Sequence, residues 1–202
     1  MENKRGKGRP KGFDRESALC IALRMFWENG YEPTSVAALC DAMEINPPSL
    51  YCCFGNKAKL FLEAVRHYED AYWREPAERL MAEPDVYKAI DDFFHEAAKI
   101  MLSPHTPCGC MVVLAAVNIS PEETEIIDAI REMRMETKAL FSKRLARAIL
   151  DGQLPPETDV PTLSGALNTF LEGLSLQARD GLFLSQLIDL AACAVSILPP
   201  KA

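Results

Sequence analysis

A chain of 202 residues, 49% of them apolar, is long enough to build one small and one larger domain, each with its own core. No apolar run approaches the ~20 residues needed to span a bilayer, and the N-terminus lacks the apolar stretch of a signal peptide, so a cytoplasmic protein with no membrane partner is expected. The formal charge of −7 excludes a wholesale nucleic-acid coat, but it is uneven: residues 1–12 carry Lys4, Arg5, Lys7, Arg9 and Lys11 against Glu2 alone, an arm of +4 on a body of −11.

Such an arm fits either a local anionic partner or a solubilising tail. The seven cysteines (Cys20, Cys40, Cys52, Cys53, Cys108, Cys110, Cys193) are odd in number and irregularly spaced, which suits reduced thiols better than a disulfide framework.

Helix signals then follow one another along the chain. Asp14 is placed to cap a first helix, in which Ala18, Ile21, Ala22, Met25 and Phe26 recur at helical spacing and Gly30 supplies a left-handed stop. Thr34 and Ser35 stand where a second helix begins, and Val36, Leu39, Cys40 and Met43 give it an apolar face that ends near Glu44. In the stretch INPPSLYCCFGNK, Asn46 caps a third helix whose first turn holds Pro47 and Pro48, where a missing backbone N–H costs little. Leu50 and Phe54 face inward; Ser49, Tyr51 and Cys52 are left to face outward. Two short helices on a tight turn, the second with a polar and aromatic outer face, describe a helix-turn-helix, whose second helix enters the DNA major groove.

The run FDRESALCIALRMFWENGYEPTSVAALCDAMEINPPSLYCCFGNKAKLFLEAV resembles the N-terminal domain of the TetR/AcrR (tetracycline-repressor-like) family of regulators. The resemblance implies an all-α homodimeric transcription factor, usually a repressor, that binds a palindromic double-stranded operator and releases it when a small-molecule effector fills a pocket in the C-terminal domain. Beyond the basic arm at 1–12 that the charges mark, it implies a DNA-binding domain at 13–58 and a ligand-binding and dimerisation domain at 59–202. By the match to SLYxxFGxK, Tyr51 and Lys57 are expected to contact phosphates, as are Thr34 and Ser35 at the start of the second helix. Pro47, Pro48, Ser49 and Cys52 lie where base edges are approached. Hydroxyls and a lysine at helix N-termini are good phosphate partners, while the prolines can read only shape or a thymine methyl, leaving Ser49 and Tyr51 to hydrogen-bond. Two positions depart from the family pattern: Glu44 stands where glycine is usual, at a cost of roughly 1 kcal/mol if the turn is left-handed, and Cys52 and Cys53 replace bulkier residues. The arm's GKGRPKG is similar to the minor-groove core of an AT-hook.

Beyond Lys57 a connecting helix is predicted over 60–73, interrupted near Pro76, followed by helices at about 86–102, 108–118, 121–150, 163–178 and 184–198. CGCMVVLAAV and LEGLSLQARDG are similar to segments of one branch of the same family, in which the last two helices pair with those of a second copy. Gly165, Ala166, Phe170, Gly173 and Leu174 are candidates for that interface or for ordinary intrachain packing. Trp73, Phe93, Phe94, Met101, Met111 and Met133 are candidate ligand-pocket residues, or plain core.

In HTPCGCM, Cys108 and Cys110 begin a predicted helix whose dipole favours thiolate, with His105 close by, so a thiol switch competes with inert thiols, and metal capture by these three lacks a fourth ligand. No Gly-rich phosphate loop or serine–histidine–acid pattern occurs; neither a cofactor nor catalysis is expected. A thiol enzyme at Cys108 or Cys110 and an architectural DNA-binding protein relying on the arm are the competing classes.

Overall fold

The computed structural model describes residues 14–200, so the basic arm with its Arg-Pro core lies outside the described residues. Those described form an all-α fold with no strand. Asp14 accepts the Glu16 N–H and opens α1, Arg15–Asn29; Gly30, at φ 85°, ends it. The buried stripe of α1 is Ala18, Leu19, Ala22, Leu23, Phe26 and Trp27, rotated from the predicted one, with Ile21 and Met25 only partly covered. Two partners explain the rotation: the helix packs on α4 along one edge and reaches the C-terminal body with Trp27 along the other.

Ser35 caps α2, Val36–Ala42, and Asn46 caps α3, Pro47–Phe54, with both prolines in the first turn. Glu44 between them is in the left-handed region at φ 56°. Asn56 caps α4, Lys57–Tyr68, whose Leu60, Phe61, Ala64 and Val65 complete the core of this three-helix unit.

Pro76 does not interrupt the connecting helix. The chain instead widens into a π-helical turn, Glu69–Trp73, closed by the Arg74 N–H on the Glu69 carbonyl, and continues as α5, Arg74–Ala82. A proline ring collides with the carbonyl four residues back in a regular helix, and a wider turn directly before it relieves that collision.

Next come α6, Val86–Met101, and α7, Met111–Leu114, then α8, Thr124–Leu150, α9, Val160–Arg179, and α10, Leu184–Ala192, which ends in a 3₁₀ turn, Cys193–Ile197. The predicted helix at 108–118 is thus reduced to four residues. Its backbone is spent on other elements: Gly109 N–H donates to Met101 O (2.8 Å), Cys110 N–H to Ser175 Oγ (2.7 Å), and Ala115 O accepts from Tyr31 N–H (2.9 Å).

Aromatic rings form two clusters, one in each half. Phe61 of α4 meets Phe26 and Tyr31 edge-on at 5.1 Å and Trp27 meets Tyr68 at 4.6 Å, while Phe93, Phe94, Phe141 and Phe170 form a second cluster across α6, α8 and α9. The fully buried Arg144 of α8 donates to the carbonyls of Leu80, Glu83 and Pro84, fixing the α5–α6 turn. No helix among the described residues is long and apolar enough to cross a membrane.

Candidate DNA-binding face and effector cavity

The outer surface of α3 is set by its cap. Asn46 Oδ1 accepts the Ser49 N–H at 2.9 Å, which starts the helix with Leu50 and Phe54 turned inward and Pro47, Pro48, Tyr51 and Cys52 exposed. Tyr51 is 49% exposed, and Ser49 is partly so. Ser35 accepts the Ala38 N–H at 3.1 Å and keeps its hydroxyl proton for an external acceptor. Thr34 differs from expectation: it is buried, with its hydroxyl donated to Gly30 O at 2.7 Å, so it closes the α1–α2 corner and does not face outward. Arg15 clamps Glu63 with two bonds of 2.6 and 2.8 Å while lying over the Phe54 ring, which ties α3 to α1 and α4.

Lys57 is partly buried at the first turn of α4. Its ammonium lies 4.0 Å from the centroid of the Tyr31 ring and 3.4 Å from Glu32 O, and burial lowers its pKa. These contacts lead into a junction that sequence reasoning missed. Tyr31 hydroxyl donates to Glu123 at 3.1 Å, Ser120 N–H to Glu32 Oε1 at 2.7 Å, Trp27 Nε1 to Gly109 O at 3.0 Å, and Arg179 to Glu28 O at 3.2 Å. Burial, with the Glu123 carboxylate, pushes the Tyr31 phenol well up and keeps it a donor. The segment 109–123 therefore straps the helix-turn-helix unit to the C-terminal body. Its one legible signal was the glycine of CGCM: at Gly109, φ +82°, a Cβ would lie 2.4 Å from Leu114 Cδ1 and 2.8 Å from Ser175 O.

The same strap walls a cavity of about 360 Å³ among the π turn, α5, α6, α8 and α9. Trp73 and Phe93, two of the six predicted pocket residues, line it beside Val112, Val113, Leu140 and Leu171. Phe94, Met101, Met111 and Met133 are buried in the core and line none of it, because their helices turn those positions toward neighbouring helices. The polar wall was not predicted: Glu69, Asp70, Glu136, Glu172, Arg74, Arg134, Thr137 and Asn168 also line it, and Asn168 donates to Glu172 at 3.0 Å. Asp70 is paired with Arg74, and Arg134 donates to Val112 O and Val113 O at 2.9 and 3.2 Å. Burial, reinforced by the Glu136 and Asp70 carboxylates and opposed by Arg66, pushes Glu69 up to about 7.

Cys110 also reaches this cavity, but the thiolate expected there does not follow. It is buried ahead of a helix of only four residues, and desolvation raises its thiol. Cys108 is exposed, and His105 lines a separate hollow with Cys20 and His67. Among the described residues no three histidine, cysteine or acidic side chains come together as a metal site.

On the opposite side of α9, Ala166 and Gly173 are exposed and Phe170 partly so, around a shallow apolar hollow shared with Leu190 and Ile197. Space beyond Gly173 is open to 4 Å. Leu174 lines the same hollow while being buried, and a Cβ at Gly165 would instead meet Lys138 of its own chain at 3.7 Å.

Comparison with known proteins agrees with this geometry. Residues 19–64 match the family described as bacterial regulatory proteins, tetR family, and residues 87–180 match the tetracyclin repressor-like C-terminal domain. The HTH-type transcriptional repressor ComR of Escherichia coli K12 is 32% identical over 97% of this chain and 94% of its own, and the HTH-type regulator YezE of Bacillus subtilis 168 is 31% identical over 95% and 99%. A cysteine mutant of the TetR-family regulator CifR, complexed with a 26-bp double-strand operator, is 40% identical over 95% of this chain and all of its own, with a TM-score of 0.89. With a helix-turn-helix unit, its α3 face exposed, strapped to a helical body, the chain belongs to the TetR family of transcriptional regulators.

Proposed function

We propose that the chain is a homodimeric repressor, with a DNA-binding domain at 13–58 and a ligand-binding and dimerisation domain at 59–202. Each protomer lays α3 in the major groove of one half of a palindromic operator, and a small molecule in the cavity releases the DNA. The observation that carries this reading is the exposed α3 face of Pro47, Pro48, Tyr51 and Cys52, flanked by Ser35 and Lys57. The likeness to CifR, solved on operator DNA, supports the partner, and the repressor ComR supports the sign of regulation.

Two α3 helices read one site only at a fixed separation, so the dimer face must hold them about one helical turn of DNA apart. The α9–α10 hollow around Gly173 and Leu190 is the face suited to this. Ligand acts by population shift: the π turn and the strap both touch the cavity, and both lead to α4 and the Tyr31–Lys57 corner. A thiol sensor has less support, since Cys110 is buried and its thiol raised.

Light scattering and operator titration of Leu190→Glu test the reading. The expected result is a halved mass and an operator affinity reduced at least about tenfold, the equivalent of ~1.4 kcal/mol. A wild-type monomer, or a monomeric variant that binds operator with unchanged affinity, contradicts it.

A further inference from the structure

A surface that meets a polyanion is expected to be positive, and the helix-turn-helix unit is not. Residues 14–58 carry three cations, Arg15, Arg24 and Lys57, against six carboxylates, Asp14, Glu16, Glu28, Glu32, Asp41 and Glu44, a net −3. Extending the count to the end of α4 adds Lys59, Arg66 and Glu63 and still leaves −2. The cations are also occupied. Arg15 is clamped on Glu63 at 2.6 and 2.8 Å and Arg24 is paired with Glu28 at 3.1 Å, so of the three only Lys57 makes no ion pair among the described residues. One partly buried lysine is little charge to set against a duplex that carries a phosphate every ~1.7 Å along its axis.

The missing charge stands immediately before α1, where Lys4, Arg5, Lys7, Arg9 and Lys11 give residues 1–12 their +4. The fold shows where that segment joins it. Arg15, the first residue of α1, has its guanidinium 4.8 Å from the ring centroid of Phe54, the last residue of α3. From Asp14 back to Arg9 the chain spans at most about 16–18 Å, roughly half a turn of DNA, which is the distance from a major groove across the phosphates to the next minor groove.

We infer that residues 4–11 anchor the protein on DNA: from the end of α3 the chain crosses the phosphates flanking each half-site and sets Arg9 in the adjoining minor groove, with Lys4, Arg5, Lys7 and Lys11 on phosphates. This rests on the reading of α3 as the helix in the major groove, and it adds a second reader with its own preference. A·T tracts have a narrow minor groove of enhanced negative potential that draws an inserted arginine, whereas G·C puts an amino group into that groove. The residue types suit a narrow cleft. Gly6, Gly8 and Gly12 add no side-chain bulk around Arg9, and a proline at position 10 disfavours helical backbone at the residue before it.

Fluorescence anisotropy of the full chain tests this on the palindrome that it selects from a random duplex pool, synthesised with A·T, G·C or I·C flanks and titrated across a salt series. Inosine keeps the major-groove edge of guanine and lacks only the amino group of the minor groove. A·T and I·C flanks are expected to bind alike and at least about fivefold tighter than G·C, and Arg9→Ala to abolish the difference. Replacing Lys4, Arg5, Lys7, Arg9 and Lys11 by alanine should flatten the slope of log affinity against log salt by at least about 4 for the two arms of the proposed dimer. An unchanged slope in the five-alanine variant overturns the anchor, and I·C flanks that bind no better than G·C overturn its seat in the minor groove. Either result leaves the α3 reading standing, because the palindrome is still selected and bound. Arm-dependent binding with no palindrome selected refutes the α3 reading and, with it, the place of the arm beside a half-site.

Discussion

Tyr51, half-exposed on α3, and Lys57, partly buried at the start of α4, are the proposed phosphate contacts, and their surroundings differ. Lys57 is positioned by the Tyr31 ring and the Glu32 carbonyl, so it presents charge at a fixed point. Lys57→Ala should weaken binding to all duplexes alike and reduce the slope of log affinity against log salt by about 1, measured by anisotropy across a salt series. An altered sequence preference would mean that Lys57 reads bases. Glu44 holds a left-handed turn that suits glycine, and Glu44→Gly should stabilise the chain by roughly 0.5–1 kcal/mol, read as a higher urea midpoint. The local structure here was legible because caps, prolines and turn residues act within a few positions: Asn46 with Pro47 and Pro48 announced α3 unaided. Thr34 was misplaced because adjacent hydroxyls give no local sign of which one caps. The cavity residues were harder still, since apolarity marks Met111 or Phe94 as buried without saying what each one faces.

The strap at 109–123 is the element on which the account of signalling depends. Its bonds to α1 and to the α1–α2 corner join residues 82 and 92 positions apart, and no periodicity carries information over that range. Predicting a longer helix there overlooked that the backbone groups are taken by Met101, Ser175 and Tyr31. Gly109→Ala tests how tightly the strap is seated. A Cβ at φ +82°, against Leu114 and the Ser175 carbonyl, should cost about 2–4 kcal/mol or displace the strap, lowering the urea midpoint and changing operator affinity together. Unchanged stability would show that the strap gives way easily and cannot transmit strain. The continuous α4–α5 path through the π turn is the second connection, and it was misread as a break because Pro76 is a breaker in a regular helix.

For the whole molecule, the all-α architecture was legible from chain-long helical patterning, and the family resemblance from the helix-turn-helix stretch. The pairing of two copies is a different matter: an exposed glycine and alanine on α9 beside Leu190 describe a face that a partner can cover, and only the partner defines the separation of the two α3 helices. In the proposed dimer this separation lets two α3 helices read one symmetric sequence. Selection of bound duplexes from a random pool, by the purified reduced chain at physiological salt, addresses it directly. A single palindrome with half-sites about one helical turn apart is expected to be enriched. Binding without enrichment, or enrichment of an isolated half-site, would contradict it.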